Sequence, residues 1–396
     1  MISVDDAVAR IGAAFAPLDA ETIVIGKAAG RVLAADAIAG LNQPPSPVSS
    51  MDGYALRAAD AAKPGVTLEV IGTSPAGHPF DGQVGVGQAV RIFTGGVVPD
   101  GADTIVIQED TSASGSRVTL NIAATSGRHI RVAGLDFKAG EVLAHSGHRL
   151  TARDLSLIAA GDVAQLSVRR RPKVAVAATG DELSLPGAPR KPGGIVASSG
   201  YALAAMIERW GGETIDLGIL PDTQEAVASI ADHEARADLI VTLGGASVGE
   251  HDLVQKALGP RGFELDFWKI AMRPGKPLIF GRLGKTPLLG LPGNPVSTLV
   301  CAMLFLKPAI SAMLGTVDNG GPVTGRLATG LKQNDARQDY IRARVEMRNG
   351  ERFVEAFSVQ DSSMLSGLAR ADALIVRPPH APAAGAGEQV SVLLLD

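Results

Sequence analysis

The sequence predicts a multidomain α/β protein whose largest sheet is mostly parallel. Three observations lead there. Between residues 171 and 316, apolar strand segments alternate with helical stretches (Tyr201–Arg209, Thr223–His233 and Val248–Leu258), the pattern of βαβ units. Short alternating strands with glycine turns fill residues 66–145 and recur after 317, which reads as a β-rich insertion and a small C-terminal barrel or sandwich. The length of 396 residues, 46% of them hydrophobic, suits two to four domains.

Residues 1–40 read as a helix from Val4 to Phe15, a strand around Thr22–Ile25 and the start of a second helix. The segment Q-P-P-S-P-V-S-S (43–50) continues neither element and makes a hinge. The insertion's strands are V-T-L-E-V-I-G (66–72), A-V-R-I-F-T-G (89–95), T-I-V-I-Q-E (104–109) and R-V-T-L-N-I (117–122). A helix (Ala152 to Ala160) and a strand (Gln165–Val168) follow, and R-R-R-P (169–172) links them to the α/β region. There the strands are K-V-A-V-A-A-T (173–179), D-L-I-V-T-L (238–243) and T-P-L-L-G-L (286–291). A helical stretch, Thr298 to Phe305, has Pro295 near its first turn. Strands are then expected at Arg342–Met347, Arg352–Ala356, Ala373–Arg377 and Gln389–Leu394, with A-P-A-A-G-A-G (381–387) as a hairpin tip.

Bulk composition narrows the function. A net charge of −4, no basic block and 4% aromatic residues argue against a nucleic-acid partner. The single cysteine, Cys301, lies in an apolar helical run; it excludes a disulfide framework and reads as core. Residues 1–20 carry Asp5, Asp6 and Asp19 and no uninterrupted apolar block, and no run of about 18 apolar residues is present. The expectation is a cytoplasmic protein with no membrane partner. The seven histidines form no ligand set: His145 and His148 lie three apart but lack a cysteine partner or helical context for zinc.

Chemistry concentrates in loops at strand ends, where ligands of parallel sheets bind. Gly244, Gly245, Ser247 and Gly249 end one strand, followed by Glu250 and Asp252; glycines there turn backbone N–H groups toward an anion. Thr179, Gly180, Asp181 and Glu182 end another, and Pro292, Gly293, Asn294 and Pro295 a third. M-R-P-G-K-P (272–277) adds Arg273 and Lys276 in a stiff loop around Gly275. Four polar loops facing one crevice suit a phosphate-bearing ligand, and carboxylates beside them suit a hard divalent cation. In the β-rich insertion, Asp52 sits beside Gly53 in a turn and Thr94 precedes paired glycines.

Together these strings resemble the MoeA family of molybdopterin molybdenumtransferases, related to the C-terminal domain of gephyrin. The matching motifs are S-x-M-D-G-Y-A (from Ser49), T-G-x-x-V-P-x-G-A-D (94–103), T-G-D-E-L (179–183), G-G-x-S-V-G-E-x-D (244–252), P-G-K-P (274–277) and L-P-G-N-P-V-S (291–297). They occur in the family's order along nearly the whole chain. The resemblance implies four domains: an elongated N-terminal/linker domain (1–43 and 141–170), a β-rich insertion (44–140), a molybdopterin-binding α/β domain (171–316) and a C-terminal β-barrel (317–396). It implies Mg²⁺-dependent insertion of molybdate into adenylylated molybdopterin, with release of AMP. It also implies a homodimer with shared active sites and a transient contact with the molybdopterin adenylyltransferase.

Carried over by motif, Asp52, Thr94, Glu182, Asp252 and Lys276 are the expected catalytic residues, with Glu182 and Asp252 at the metal. Asp136, Asp222, Ser362 and Ser366 join the loop residues in holding substrate. The chain departs from the family's usual pattern at three places. Ser46-Pro47 replaces Phe-Asp, Arg273 replaces a lysine, and Ala197-Ser198-Ser199 replaces Asp-Ser-Asn. The last change removes a carboxylate and an amide and leaves a non-catalytic carrier as the alternative reading. Tungstate, a dianion of nearly equal size, is the alternative to molybdate.

Overall fold

The computed structural model describes residues 1–244, 251–316 and 320–395, and only the backbone of His251 and Asp252. Gly245, Ser247 and Gly249 therefore lie outside the described residues, as does the side chain of Asp252. The chain divides into two compact units, one built from residues 22–29 and 35–167, the other from 1–21, 30–34 and 168–396. Helix α1 (Val4–Ala13) opens the larger unit. Ser3 caps it by accepting from Asp6 N at 3.0 Å, and Asp5 and Asp6 complement the positive end of its dipole. Val4, Ala7 and Ile11 form its buried stripe.

The smaller unit is built on a six-stranded sheet. Its strands are β1 (Gly53–Leu56), β2 (Thr67–Ser74), β3 (Gln88–Ile92), β4 (Thr104–Ile107), β5 (Thr111–Ser114) and β6 (Arg117–Leu120), in the order β4-β1-β3-β2-β6-β5. All pairings are antiparallel except β2 with β3. Tyr54, Leu56, Leu68, Val106, Val118 and Leu120 make its core. Helix α2 (Ala152–Ala160) starts in a capping box: Thr151 Oγ1 accepts from Asp154 N at 3.4 Å, and Asp154 accepts from Thr151 N at 2.7 Å. These bonds, the one from the Thr151 hydroxyl foremost, lower the Asp154 carboxyl to about 2.

The larger unit holds the α/β layer and the barrel. Its sheet runs from β7 (Lys173–Thr179), α3 (Ser199–Trp210), β8 (Glu213–Leu220), α4 (Gln224–Ala228) and β9 (Leu239–Leu243) to α5 (His251–Leu258) and β10 (Phe263–Trp268). It is completed after the two-residue β11 (Met272–Arg273) by β12 (Ile279–Leu283) and β13 (Thr286–Leu291), in the order β8-β7-β9-β13-β12-β10. The first four strands of that order are parallel and β12 is antiparallel to both neighbours, so β10 points the same way as they do. The polar loops after β7, β9, β10 and β13 thus leave one edge of the sheet.

Helix α6 (Pro295–Leu314) comes closer to a membrane span than the sequence suggested: its length and mean hydropathy of 1.7 would suffice. Instead it is the central core helix, with Val300, Cys301, Phe305, Leu306, Ile310 and Met313 packed beneath the sheet and against α1. Strands β14 (Val323–Leu327), β15 (Gln338–Arg348) and β16 (Glu351–Ala356), short helix α7 (Leu365–Ala369), and strands β17 (Ala373–Arg377) and β18 (Gln389–Leu394) follow. The pairings β15-β16-β14-β18-β17 close back on β15, which makes a five-stranded barrel and settles the barrel-or-sandwich alternative. The expected tip at 381–387 does join β17 to β18, but Ala384 is buried and bridges Leu331.

Candidate functional site

A cavity of about 560 Å³ opens at the carboxyl ends of β7, β9 and β13. The register explains the convergence. Ala178 lies opposite Leu243, and Leu243 opposite Leu291, so Thr179, Gly244 and Pro292 follow side by side. All three line the cavity, with Glu182, Gly293, Asn294 and Pro295. Gly244 must be glycine on two counts: its φ is +92°, and a Cβ would lie 2.9 Å from the Thr179 carbonyl oxygen.

The cavity's polarity comes mainly from backbone and hydroxyls. Ser198, Ser199 and Gly200, at the start of the twelve-residue α3, line one side; Asn294 and Pro295, at the start of α6, line another. The start of α3 has uncapped N–H groups, while at α6 Pro295 has no N–H and Val296 N already donates to the Ser362 carbonyl, so that α6 adds chiefly the positive end of its dipole; both favour an anion. Thr179 is 7% exposed, and its hydroxyl finds no partner among the described residues, a cost that a ligand acceptor would remove. Glu182 is the charged side chain in the described lining. No cluster of three potential metal ligands occurs among the described residues. One carboxylate joined by substrate phosphate oxygens is nonetheless an ordinary donor set for Mg²⁺, so Glu182 fits that ion.

Other expected residues sit around this cavity in different ways. Asp181 Oδ1 accepts from Asp222 N at 3.3 Å, which joins the loops after β7 and β8. Ser362 is held at the rim: its carbonyl accepts from Val296 N and its Oγ from Asn294 Nδ2, each at 3.1 Å. Its neighbour Ser363, not foreseen, lines the cavity, while the exposed Ser366 lies in the first turn of α7. From the 272–277 loop Pro277 reaches the lining and Lys276 is exposed. Gly275 packs onto Cys301, where a Cβ would fall 2.4 Å from Sγ, and complete burial pushes the Cys301 thiol pKa up, out of reach of nucleophilic chemistry. Arg273 turns the other way, toward Asp339 and Asp335 of the barrel.

Sequence reasoning also missed the apolar side of the mouth. Leu183–Ser184 pairs in parallel with Ile195–Val196, leaving Ile195 54% and Val196 40% exposed beside the polar wall. A flat heterocycle could cover them. Two apolar residues after a Pro/Gly loop carry no recognisable motif, so the sequence held no signal for this wall.

In the smaller unit, Asp52 and Thr94 meet directly. Asp52 Oδ1 accepts from Thr94 N at 2.7 Å and from Thr94 Oγ1 at 2.9 Å. The two bonds, aided by the nearby Arg91 charge, hold the Asp52 carboxyl below its ordinary pKa. Arg91 itself lies over the Tyr54 and Phe93 rings, 5.0 Å from each centroid. Asp136 is exposed, and its N–H donates to the Gln43 carbonyl at 2.9 Å.

Comparison with known proteins matches three descriptions along the chain. These are the MoeA N-terminal region (domains I and II) at residues 2–161, a probable molybdopterin binding domain at 175–312, and the MoeA C-terminal region (domain IV) at 324–395. A molybdopterin molybdenumtransferase of Nostoc sp. is 36% identical over 95% of this chain and 89% of its own length. Its counterpart from Haemophilus influenzae is 35% identical over 95% and 94%. The crystal structure of a molybdopterin biosynthesis MoeA protein from Pyrococcus horikoshii superposes with a TM-score of 0.87 at 29% identity, covering 100% of this chain and 99% of that one. With the motifs, the parallel-sheet cavity and the closed barrel all in place, the chain belongs to the MoeA family of transferases.

Proposed function

We propose that this chain inserts molybdenum into molybdopterin, the transfer for which its curated relatives are named, using molybdate and adenylylated molybdopterin and releasing AMP. The observation that carries the reading is the cavity at Thr179, Gly244 and Pro292, where two helix N-termini converge with a buried hydroxyl that has no partner among the described residues, and without a competing cation in the described lining. Such a site binds a phosphate-bearing anion through N–H and O–H donors. The exposed Ile195 and Val196 give the pterin an apolar face to lie on. Lys276, exposed next to Pro277, supplies positive charge to the pyrophosphate or the oxyanion.

Mg²⁺, held by Glu182 and substrate oxygens, would polarise the phosphoanhydride as a Lewis acid. Asp52, fixed as a carboxylate by Thr94, orients donors on the substrate or the oxyanion. We further propose that the protein acts as a cytoplasmic homodimer in which Asp52 and Thr94 of one protomer serve the partner's cavity. The adenylyltransferase that supplies the substrate would make only transient contact.

The test is AMP release from adenylylated molybdopterin, with and without Mg²⁺, with molybdate and tungstate supplied in turn. Metal- and oxyanion-dependent AMP release is expected. Tight binding without release would replace the transferase reading with that of a carrier, for which the Ala197-Ser198-Ser199 segment is the feature in favour.

A further inference from the structure

Two separate walls of the cavity are tied to a single barrel strand. The first is the 272–277 loop. Its start, β11, pairs in parallel with the start of β15, with Met272 opposite Gln338 and Arg273 opposite Asp339. The Arg273 guanidinium grips Asp339 through two bonds, one of them Nε to Oδ1 at 2.9 Å, and reaches Asp335 Oδ2 at 3.3 Å. Asp339 is only 7% exposed, and Asp335 is itself held by Arg337 at 3.0 Å. Beyond this clamp, the Lys276 carbonyl accepts from Ile270 N at 2.9 Å, and Pro277 enters the cavity.

The second wall is the 360–364 turn that carries Ser362 and Ser363. Arg342, three residues along β15 from Asp339, is 2% exposed. Its Nε donates to Gln360 Oε1 at 3.2 Å, and one terminal nitrogen donates to the carbonyls of Asp361 (2.9 Å) and Met364 (3.3 Å). Gln360 returns a bond from Nε2 to the Arg342 carbonyl at 3.0 Å. Asp361 Oδ1 then accepts from Ser363 N at 2.8 Å and Ser363 Oγ at 2.6 Å, fixing the residue that lines the cavity. Both clamps border one small void of about 150 Å³ lined by Arg273, Pro274, Asp339, Arg342 and Gln360.

A guanidinium already engaged by two carboxylates is poorly placed to take an incoming phosphate as well. A buried arginine spent on backbone carbonyls holds a turn in one geometry. We propose that Asp339, acting through Arg273, and Arg342 are positioning residues: β15 of the barrel sets the distance between the Lys276–Pro277 wall and the Ser362–Ser363 wall. Arg273 is thereby assigned to the frame and not to the ligand. The inference rests on the reading of the cavity as the substrate site.

The experiment combines amide hydrogen exchange on the ligand-free protein with binding of adenylylated molybdopterin at low and high salt. The variants are Arg273→Ala, Arg273→Lys, Asp339→Asn and Arg342→Met. Exchange in 271–278 should quicken in Arg273→Ala and Asp339→Asn, and exchange in 360–366 in Arg342→Met, with β16–β18 unchanged. Binding should weaken by about tenfold in each of these three variants, the scale of a slightly misplaced contact. Its salt dependence should stay that of the wild type, and Arg273→Lys should restore part of the loss. The Arg273→Ala, Asp339→Asn double variant should be no worse than either single one.

Arg273→Ala keeps the experiment decisive if the buried sites unfold, because Arg273 is half exposed. Three results overturn the proposal: unchanged exchange, a flattened salt dependence in Arg273→Ala, or binding that tightens when Asp339→Asn frees the arginine. Wild-type protein that fails to bind the ligand overturns the substrate reading and the positioning role with it. The exchange data would still separate that outcome from clamps that do not hold.

Discussion

At the scale of single residues, the site pairs groups whose protonation and direction are set by close neighbours. Asp52 accepts two bonds from Thr94, which hold its carboxyl below its ordinary pKa. Asp52→Ala and Glu182→Ala should each lower molybdenum insertion by about two decades, as losing one preorganised polar group does. Glu182 is exposed and Asp52 half-buried in a surface turn, so melting temperatures should move little; a large drop in stability would reassign either residue to the fold. Lys276→Ala should weaken binding of the anionic substrate, with the difference shrinking as salt rises. An affinity unaltered at low salt would make Lys276 a loop residue only. The motif strings single out Asp52, Thr94, Glu182 and Lys276 as candidates because loop chemistry depends on residue type at fixed spacing. They could not show Ser363, Ile195 or Val196, which reach the cavity only through the turns that carry them.

At the scale of elements, strand ends and helix starts do the positioning. The turn after β9 depends on a left-handed residue packed against Thr179. Gly244→Ala should therefore cost about 1–3 kcal/mol of stability and empty the cavity of ligand, since strain and contact act together. Urea unfolding alongside a binding titration would measure both, and a neutral substitution would mean that the turn can relax. In the smaller unit, Thr151→Ala removes the cap of α2 and should cost about 1 kcal/mol. The same capping box makes a pH prediction. The folded Asp154 carboxyl, at about 2, lies below its ordinary 3.8, so the stabilisation is full above 3.8 and is lost as pH falls through about 2. The stability difference between wild type and Asp154→Ala should accordingly be constant near neutrality and fade in acid. A difference that grows in acid would contradict the assignment.

At the scale of the whole molecule, the proposed shared site has a sharp consequence. A two-fold interface is self-complementary, so both clefts of a dimer form together. Asp52→Ala and Glu182→Ala proteins, each inactive, should recover about a quarter of wild-type activity when mixed in equal amounts under subunit exchange. Each heterodimer then has one cleft with both changes and one with neither. If the site belonged to a single chain, every cleft would keep one change and the mixture would stay dead. Verified exchange without recovery would therefore reject the shared site.

By itself the sequence determined the fold class, the alternation of strands and helices in the α/β region, and the polar loops at three strand ends. Those properties follow from periodicity, turn residues and local spacing, which a linear chain states directly. It also marked Cys301 as core, since an apolar helical run leaves a thiol no polar neighbour. Strands such as Gly53–Leu56, Glu213–Leu220 and Ile279–Leu283 escaped it, and the second helix expected within residues 1–40 is only a 3-10 turn at Ile25–Lys27. Tertiary structure alone decided the rest. Helix α6 resembles a membrane segment in composition, and only its packing under the sheet and against α1 makes it a core helix. Closure of the barrel is a pairing of β15 with β17, separated in sequence by β16 and α7, and no local pattern encodes it. Arg273 read as a ligand cation because a linear sequence shows its loop and not its partners. Asp335 and Asp339 lie more than sixty residues away, and only the fold brings their carboxylates to its guanidinium.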